Sequence, residues 1–168
     1  MAVKTIEDLF IHELSDIANA EKQLTKALPR LARAATNPAL RAAFESHLEE
    51  TRGQIERIDQ IVESLDIRLK RIKCAAMEGL VEEGKEVIET VEAGPVRDAA
   101  LIGGAQKVEH YEIASYGTLA AIAKQLGYKD ALRLLLETLE EEKSTDEKLT
   151  LLAEQGGNQE AAQKSKAA

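Results

Sequence analysis

The chain has 168 residues, a formal net charge of −8, 44% hydrophobic residues and only 3% aromatics, with no Trp and one cysteine, Cys74. That length suits one compact domain. The acidic balance excludes an electrostatic footprint for duplex DNA or RNA, a lone cysteine excludes an intrachain disulfide, and no window is long and apolar enough to span a bilayer.

The opening MAVKTIEDLF lacks the apolar run of a signal peptide, so a soluble cytoplasmic protein is expected. Gly, Pro and Asn divide the sequence into five helical segments. Thr5, with Asp8 three residues on, is a variant of the capping box and starts the first helix, which runs to about Ala35 with a bend expected at Pro29. TNP ends it, and Pro38 suits the first position of a second helix reaching about Leu65. A third helix is predicted from about Arg68 to Val91. AGP at Ala93 to Pro95 separates it from a fourth that runs to Leu126, where Gly127 stops it. The fifth runs from about Lys129 to Ala153. Residues 1–153 thus form the helical domain, and the polar tail EQGGNQEAAQKSKAA (154–168) is expected to be disordered. No stretch alternates long enough to make a strand, so the fold class is all-α.

Four of these helices carry rows of steps alternating four and three, the spacing of a seam facing partner helices. The first gives Phe10, Leu14, Ile17, Glu21, Leu24, Leu28, Leu31, Ala35; the second Leu40, Phe44, His47, Thr51, Gln54, Ile58, Ile61, Leu65. The fourth gives Leu101, Ala105, Val108, Glu112, Ser115, Leu119, Ile122, Leu126; the fifth Leu135, Thr138, Glu142, Thr145, Leu149, Leu152. Each row is apolar at its ends and polar near its middle. The third helix has an uninterrupted apolar seam instead, from Ile72 to Val91.

The polar interruptions share a height. Short turns make the first two helices, and the last two, antiparallel hairpins. Glu21 lies about 15 residues before the first turn and Glu50 about 14 after it; Glu112 and Glu142 stand about 15 before and 14 after the second. At about 1.5 Å per residue, each pair falls within about 3 Å of one level. The helix between the hairpins is long enough to act as a crossover. Docking the hairpins face to face would gather four carboxylates, which cannot all stay ionised in a dry core. A hard or borderline divalent cation would resolve the conflict, and an oxygen-rich set suits Fe or Mn. His47 precedes Glu50 by one turn and Glu109 precedes Glu112 by one turn, so each can join the set. Tyr116, one turn beyond Glu112, could hydrogen-bond to it. Glu141 leaves the seam, His12 and His110 lie off the rows, and Cys74 is expected to be a small packing residue.

The motifs TIEDLFIHELSD, AEKQLTKAL, HLEETRGQIERID, VRDAALIGGAQKVEHYEIASYGTLA and LETLEEEKSTDEKLT resemble those of the bacterial YciF stress-protein family, within the ferritin-like, rubrerythrin-like superfamily. The resemblance spans nearly the whole chain apart from the tail. It implies an antiparallel four-helix bundle with a crossover helix, a homodimer and a link to stress response, with no activity assigned. Carried over, the superfamily's ligand positions fall on Glu21, Glu50, Glu109 with Glu112, and Glu142. The chain contains no Glu-x-x-His: Gly53 follows Glu50, Ser115 follows Glu112, Thr145 follows Glu142, and the histidine comes first, as His47-x-x-Glu50. Two expectations follow. One is a metal-binding bundle with Glu21, His47, Glu50, Glu109, Glu112 and Glu142 around Fe or Mn, handling metal or oxidant. The other is a non-catalytic dimeric helical stress protein with a residual carboxylate cluster.

Overall fold

The computed structural model describes residues 3–167, with side chains described as far as residue 163. The protein is all-helical. Its elements are α1 (Ile6–Ala34), α2 (Pro38–Ser64), α3 (Ala75–Thr90), α4 (Pro95–Leu126) and α5 (Lys129–Leu152), then a π-helical turn (Ala153–Gly157) and α6 (Asn158–Ala167). Among the described residues there is no strand, and no helix is long and apolar enough to cross a membrane.

The starts and stops follow from local chemistry. The Thr5 hydroxyl accepts the Asp8 N–H while the Asp8 carboxylate accepts from the Thr5 backbone, a complete capping box. Asn37 caps α2 through the N–H groups of Ala39 and Leu40. Gly127, at φ 74°, closes α4 in the left-handed region that favours glycine.

α1 packs along α2, and α4 along α5; α2 also lies against α5, and α1 against α4. The seams predicted from spacing are the buried faces. Every residue of the four rows is buried except Leu31, Leu65, Ser115, Leu126 and Leu152, which are half-buried. The two hairpins are pinned at both ends. At one end, Asp98 in the first turn of α4 is 4% exposed and accepts from the backbone N–H groups of Thr36 and Asn37, each at 2.8 Å, and from the Thr36 hydroxyl. At the other, Phe10 meets Tyr128 edge to face with ring centroids 5.5 Å apart.

Two regions differ from the sequence-based expectation. The third helix starts at Ala75, not near Arg68; residues 67–74 are a non-helical strap. Asp66 turns the chain at φ 50°, and polar side chains of α1 then capture the strap's backbone. Ser15 Oγ accepts the Lys70 N–H at 2.9 Å, Asn19 Oδ1 accepts the Cys74 N–H at 2.8 Å, and the Gln23 amide donates to the Cys74 carbonyl at 3.0 Å. Cys74, expected only to pack, also caps α3 by accepting the Met77 N–H. The crossover is therefore one third strap and two thirds helix, and α3 rests on α1 and α4 with only Met77 fully buried.

The second difference is the tail. Instead of disorder after residue 153, the chain turns at Gly156 (φ 144°), buries Gly157 beside Ile102 and continues as α6, which packs on α4. The glycine pair permits the turn, and the following Ala-rich polar segment is made of good helix formers.

Candidate metal centre

The polar middles of the four rows meet inside the protein. Glu21, Glu112 and Glu142 are each 0% exposed, Glu109 1% and His47 3%. Ligand atoms of His47, Glu109, Glu112 and Glu142 all lie within 4.8 Å of one another, drawn from α2, α4 and α5. Glu21 joins them from α1: it is fully buried, and the charges of Glu21, Glu112 and Glu142 act on one another. His47 Nε2 stands 3.2 Å from Glu109 Oε1, close enough for an ion pair yet not aligned as a hydrogen bond.

One of the predicted residues, Glu50, takes a different place from the one its spacing suggested. Glu50 lies at the rim, its side chain 26% exposed, held by the Thr145 hydroxyl at 3.1 Å, by His47 Nδ1 at 3.5 Å and by Lys148 Nζ at 3.6 Å. The fourth fully buried carboxylate is Glu109. Position 50 lies one residue before the seam position Thr51, so the helix turns Glu50 outward. Glu141 also faces away, in a two-pronged pair with Arg57 and a contact from the Gln54 amide at 3.1 Å, which leaves Glu142 as the inward acid.

Tyr116 is 1% exposed and donates to Glu21 Oε1, not to Glu112. Its place on α4 puts it opposite Glu21 across the antiparallel α1–α4 contact, a relation that spacing along one helix does not reveal. Thr145 is the other participant not foreseen. Its seam position, one turn after Glu142, was its only signal in the sequence. His110 is exposed and pairs with Asp146 at 3.3 Å, while His12 is half-buried. Tyr111 donates to Asp16 and lies 3.0 Å from Cys74 Sγ, tying α4 to the strap.

The electrostatics of the cluster are unfavourable as it stands. Burial, followed by the charge on Glu142, pushes Glu21, Glu109 and Glu112 well above the usual carboxylate value of 4.5. Burial also raises Glu142, against the opposing influence of the neighbouring Glu109 carboxyl and His47. Glu50 moves the other way: the His47 hydrogen bond leads, with Lys148 and Thr145 adding to it. Among the described residues, Glu21 Oε2, His47 Nε2, Glu109 Oε2 and both oxygens of Glu112 and of Glu142 are buried with no properly formed hydrogen bond; Gln54 Oε1 is the one such atom outside this group. Native interiors seldom leave such atoms together without a reason. Their donor chemistry, carboxylate oxygen with one imidazole nitrogen, suits a divalent cation of the iron or manganese type.

Comparison with known proteins gives a consistent picture. Residues 5–162 match the family described as Domain of unknown function (DUF892). The chain is 66% identical over 165 residues to Protein YciF of Escherichia coli (strain K12), covering 98% of this chain and 99% of that one. The crystal structure of the E. coli stress protein YciF superposes with a TM-score of 0.87 at 69% identity, over 89% of this chain and 95% of that chain. A protein from Rhodopseudomonas palustris named YcfI gives 0.84 at 47% identity, over 88% and 94%. A protein from Xanthomonas campestris, at 21% identity and a TM-score of 0.77, shares the fold.

Proposed function

The chain belongs to the DUF892 family, to which its YciF-like sequence assigns it, and we propose that it is a ferritin-like stress-response protein whose hairpins form a four-helix bundle around one or two iron or manganese ions. The observation that carries this reading is the buried group His47, Glu109, Glu112 and Glu142, its ligand atoms within 4.8 Å of one another and most of them without hydrogen-bond partners. Glu21 adds a fourth buried carboxylate. Four carboxylates balance the charge of two divalent cations, so loading would remove the repulsion that now forces protons onto the cluster. Tyr116 holds Glu21 Oε1 and leaves Oε2 facing inward. Glu50, paired with Lys148 at the rim, is placed to support His47 from behind, the outer-sphere role that orients a ligating imidazole.

A bound iron or manganese would supply redox and Lewis-acid chemistry, which fits metal or oxidant handling under stress. The description of the E. coli relative as a stress protein supports the same reading. We assign the protein to the cytoplasm and to a homodimer, and scattering in solution distinguishes that dimer from a closed shell. The absence of Glu-x-x-His favours a second reading, in which the cluster is a residual set of carboxyls sharing protons without a metal. Reconstitution separates the two: purified protein loaded with Fe(II) or Mn(II) and desalted should retain roughly one or two ions per chain, and Glu112→Ala should abolish retention. Stoichiometry near zero in the wild type would establish the second reading.

A further inference from the structure

A cavity of about 40 Å³ lies against the His47–Glu109 edge of the centre. α1 lines it with Leu24, Leu28 and Leu31, and α2, α4 and α5 add Phe44, Val108 and Leu149. Exposure falls steeply from its outer to its inner end. Lys148 and Glu50, paired at 3.6 Å with side chains 55% and 26% exposed, stand at the outside; His47 and Glu109, at 4% and 2%, close the inside. At that inner end His47 Nε2 and Glu109 Oε2 lack hydrogen-bond partners.

We infer that this cavity binds a small uncharged molecule of about two or three non-hydrogen atoms and is its route to the centre, since one water-sized molecule needs about 10–15 Å³ of such space. Size excludes larger substrates. The walls between its two polar ends are apolar, which favours an uncharged occupant over a hydrated ion. The Glu50–Lys148 pair is a movable cover, because a partly exposed pair of this kind is weak and its lysine is long and flexible. The route rests on the metal reading of the centre; the cavity as a binding site does not.

Xenon is the probe for the binding site, because it enters dry apolar cavities and needs no metal. Crystals of the metal-free protein under xenon pressure should show one xenon between Leu28 and Val108. Ala43→Leu and Ala105→Leu, which fill the cavity from α2 and α4, should each abolish it, and having two variants guards against one misfolding. The same variants loaded with Fe(II) should keep the wild-type metal stoichiometry yet be oxidised by dissolved oxygen several-fold more slowly. No xenon in the wild-type cavity overturns the inference. So does xenon binding with unchanged oxidation in both filled variants, which would make the cavity a void and not a route. A wild type that binds xenon but retains no metal overturns the reading of the centre and leaves the binding site standing.

Discussion

Tyr116 and Glu21, 95 residues apart in sequence, meet in the interior through a hydrogen bond from the tyrosine hydroxyl to Glu21 Oε1. The bond occupies one oxygen and leaves Oε2 without a partner. Tyr116→Phe should orphan Oε1 as well. Leaving a buried acceptor unsatisfied costs about 1–3 kcal/mol, so the metal-free variant should show a lower urea midpoint with an unchanged slope. It should also load metal more weakly, because Glu21 loses the contact that orients it.

Glu109 and Glu50 compete for the role of the fourth acid, and their burial distinguishes them. Glu109→Gln should sharply reduce the metal retained after desalting. Glu50→Gln, at the rim, should lower affinity modestly and leave the saturated stoichiometry unchanged, as expected of a residue that orients a ligand. Both are read by metal analysis over a range of chelator strengths. Equal loss in the two variants would put Glu50 in direct contact with the metal.

The carboxyl cluster predicts an unusual pH profile for the metal-free protein. Burial first, and then the charge on Glu142, raise Glu21, Glu109 and Glu112 well above 4.5. A group with a raised folded-state value binds its proton more tightly folded than unfolded. Its stabilisation is complete below the unfolded value and is lost as pH rises through the folded one. The thermal midpoint should accordingly fall as pH rises above the ordinary glutamate range, followed by calorimetry from about pH 5 to 8. Saturating Mn(II) should flatten or reverse the slope, since ionised carboxylates are then the favoured ligands. A flat metal-free profile would show that the cluster does not hold these protons.

Glu112 keeps both oxygens buried and without a hydrogen-bond partner. Glu112→Leu removes them at similar volume and should raise the stability of the metal-free protein, by about 1–4 kcal/mol if it behaves like other replacements of buried charge by apolar groups. The same variant should gain nothing from added metal. A lower denaturation midpoint in chelated buffer would mean that Glu112 contributes favourable interactions even without metal.

Asp98 stabilises the fold at a distance from the centre. It satisfies two backbone N–H groups and a hydroxyl at the α1–α2 turn. Asp98→Ala should cost about 2–4 kcal/mol in chemical denaturation, while the folded variant retains metal at the wild-type stoichiometry. Loss of metal retention in the folded variant would link the turn to the centre.

Much of this architecture is written locally. The caps at Thr5 and Asn37, the stop at Gly127 and the four seams depend on a few neighbouring residues and on the 3.6-residue period, so five helices, their hairpin pairing and the burial of Glu21, His47, Glu112 and Glu142 are legible in the chain alone. The relations across space come from packing. Residues 67–74 contain helix formers, yet Ser15, Asn19 and Gln23 of α1 capture their backbone and hold it out of a helix. The polar tail becomes a helix because α4 lies beneath it. Glu109 enters the cluster and Glu50 stays at its rim because the rotation of each helix about its axis is fixed by packing against its neighbours, and periodicity leaves a residue one step off the seam free to turn either way.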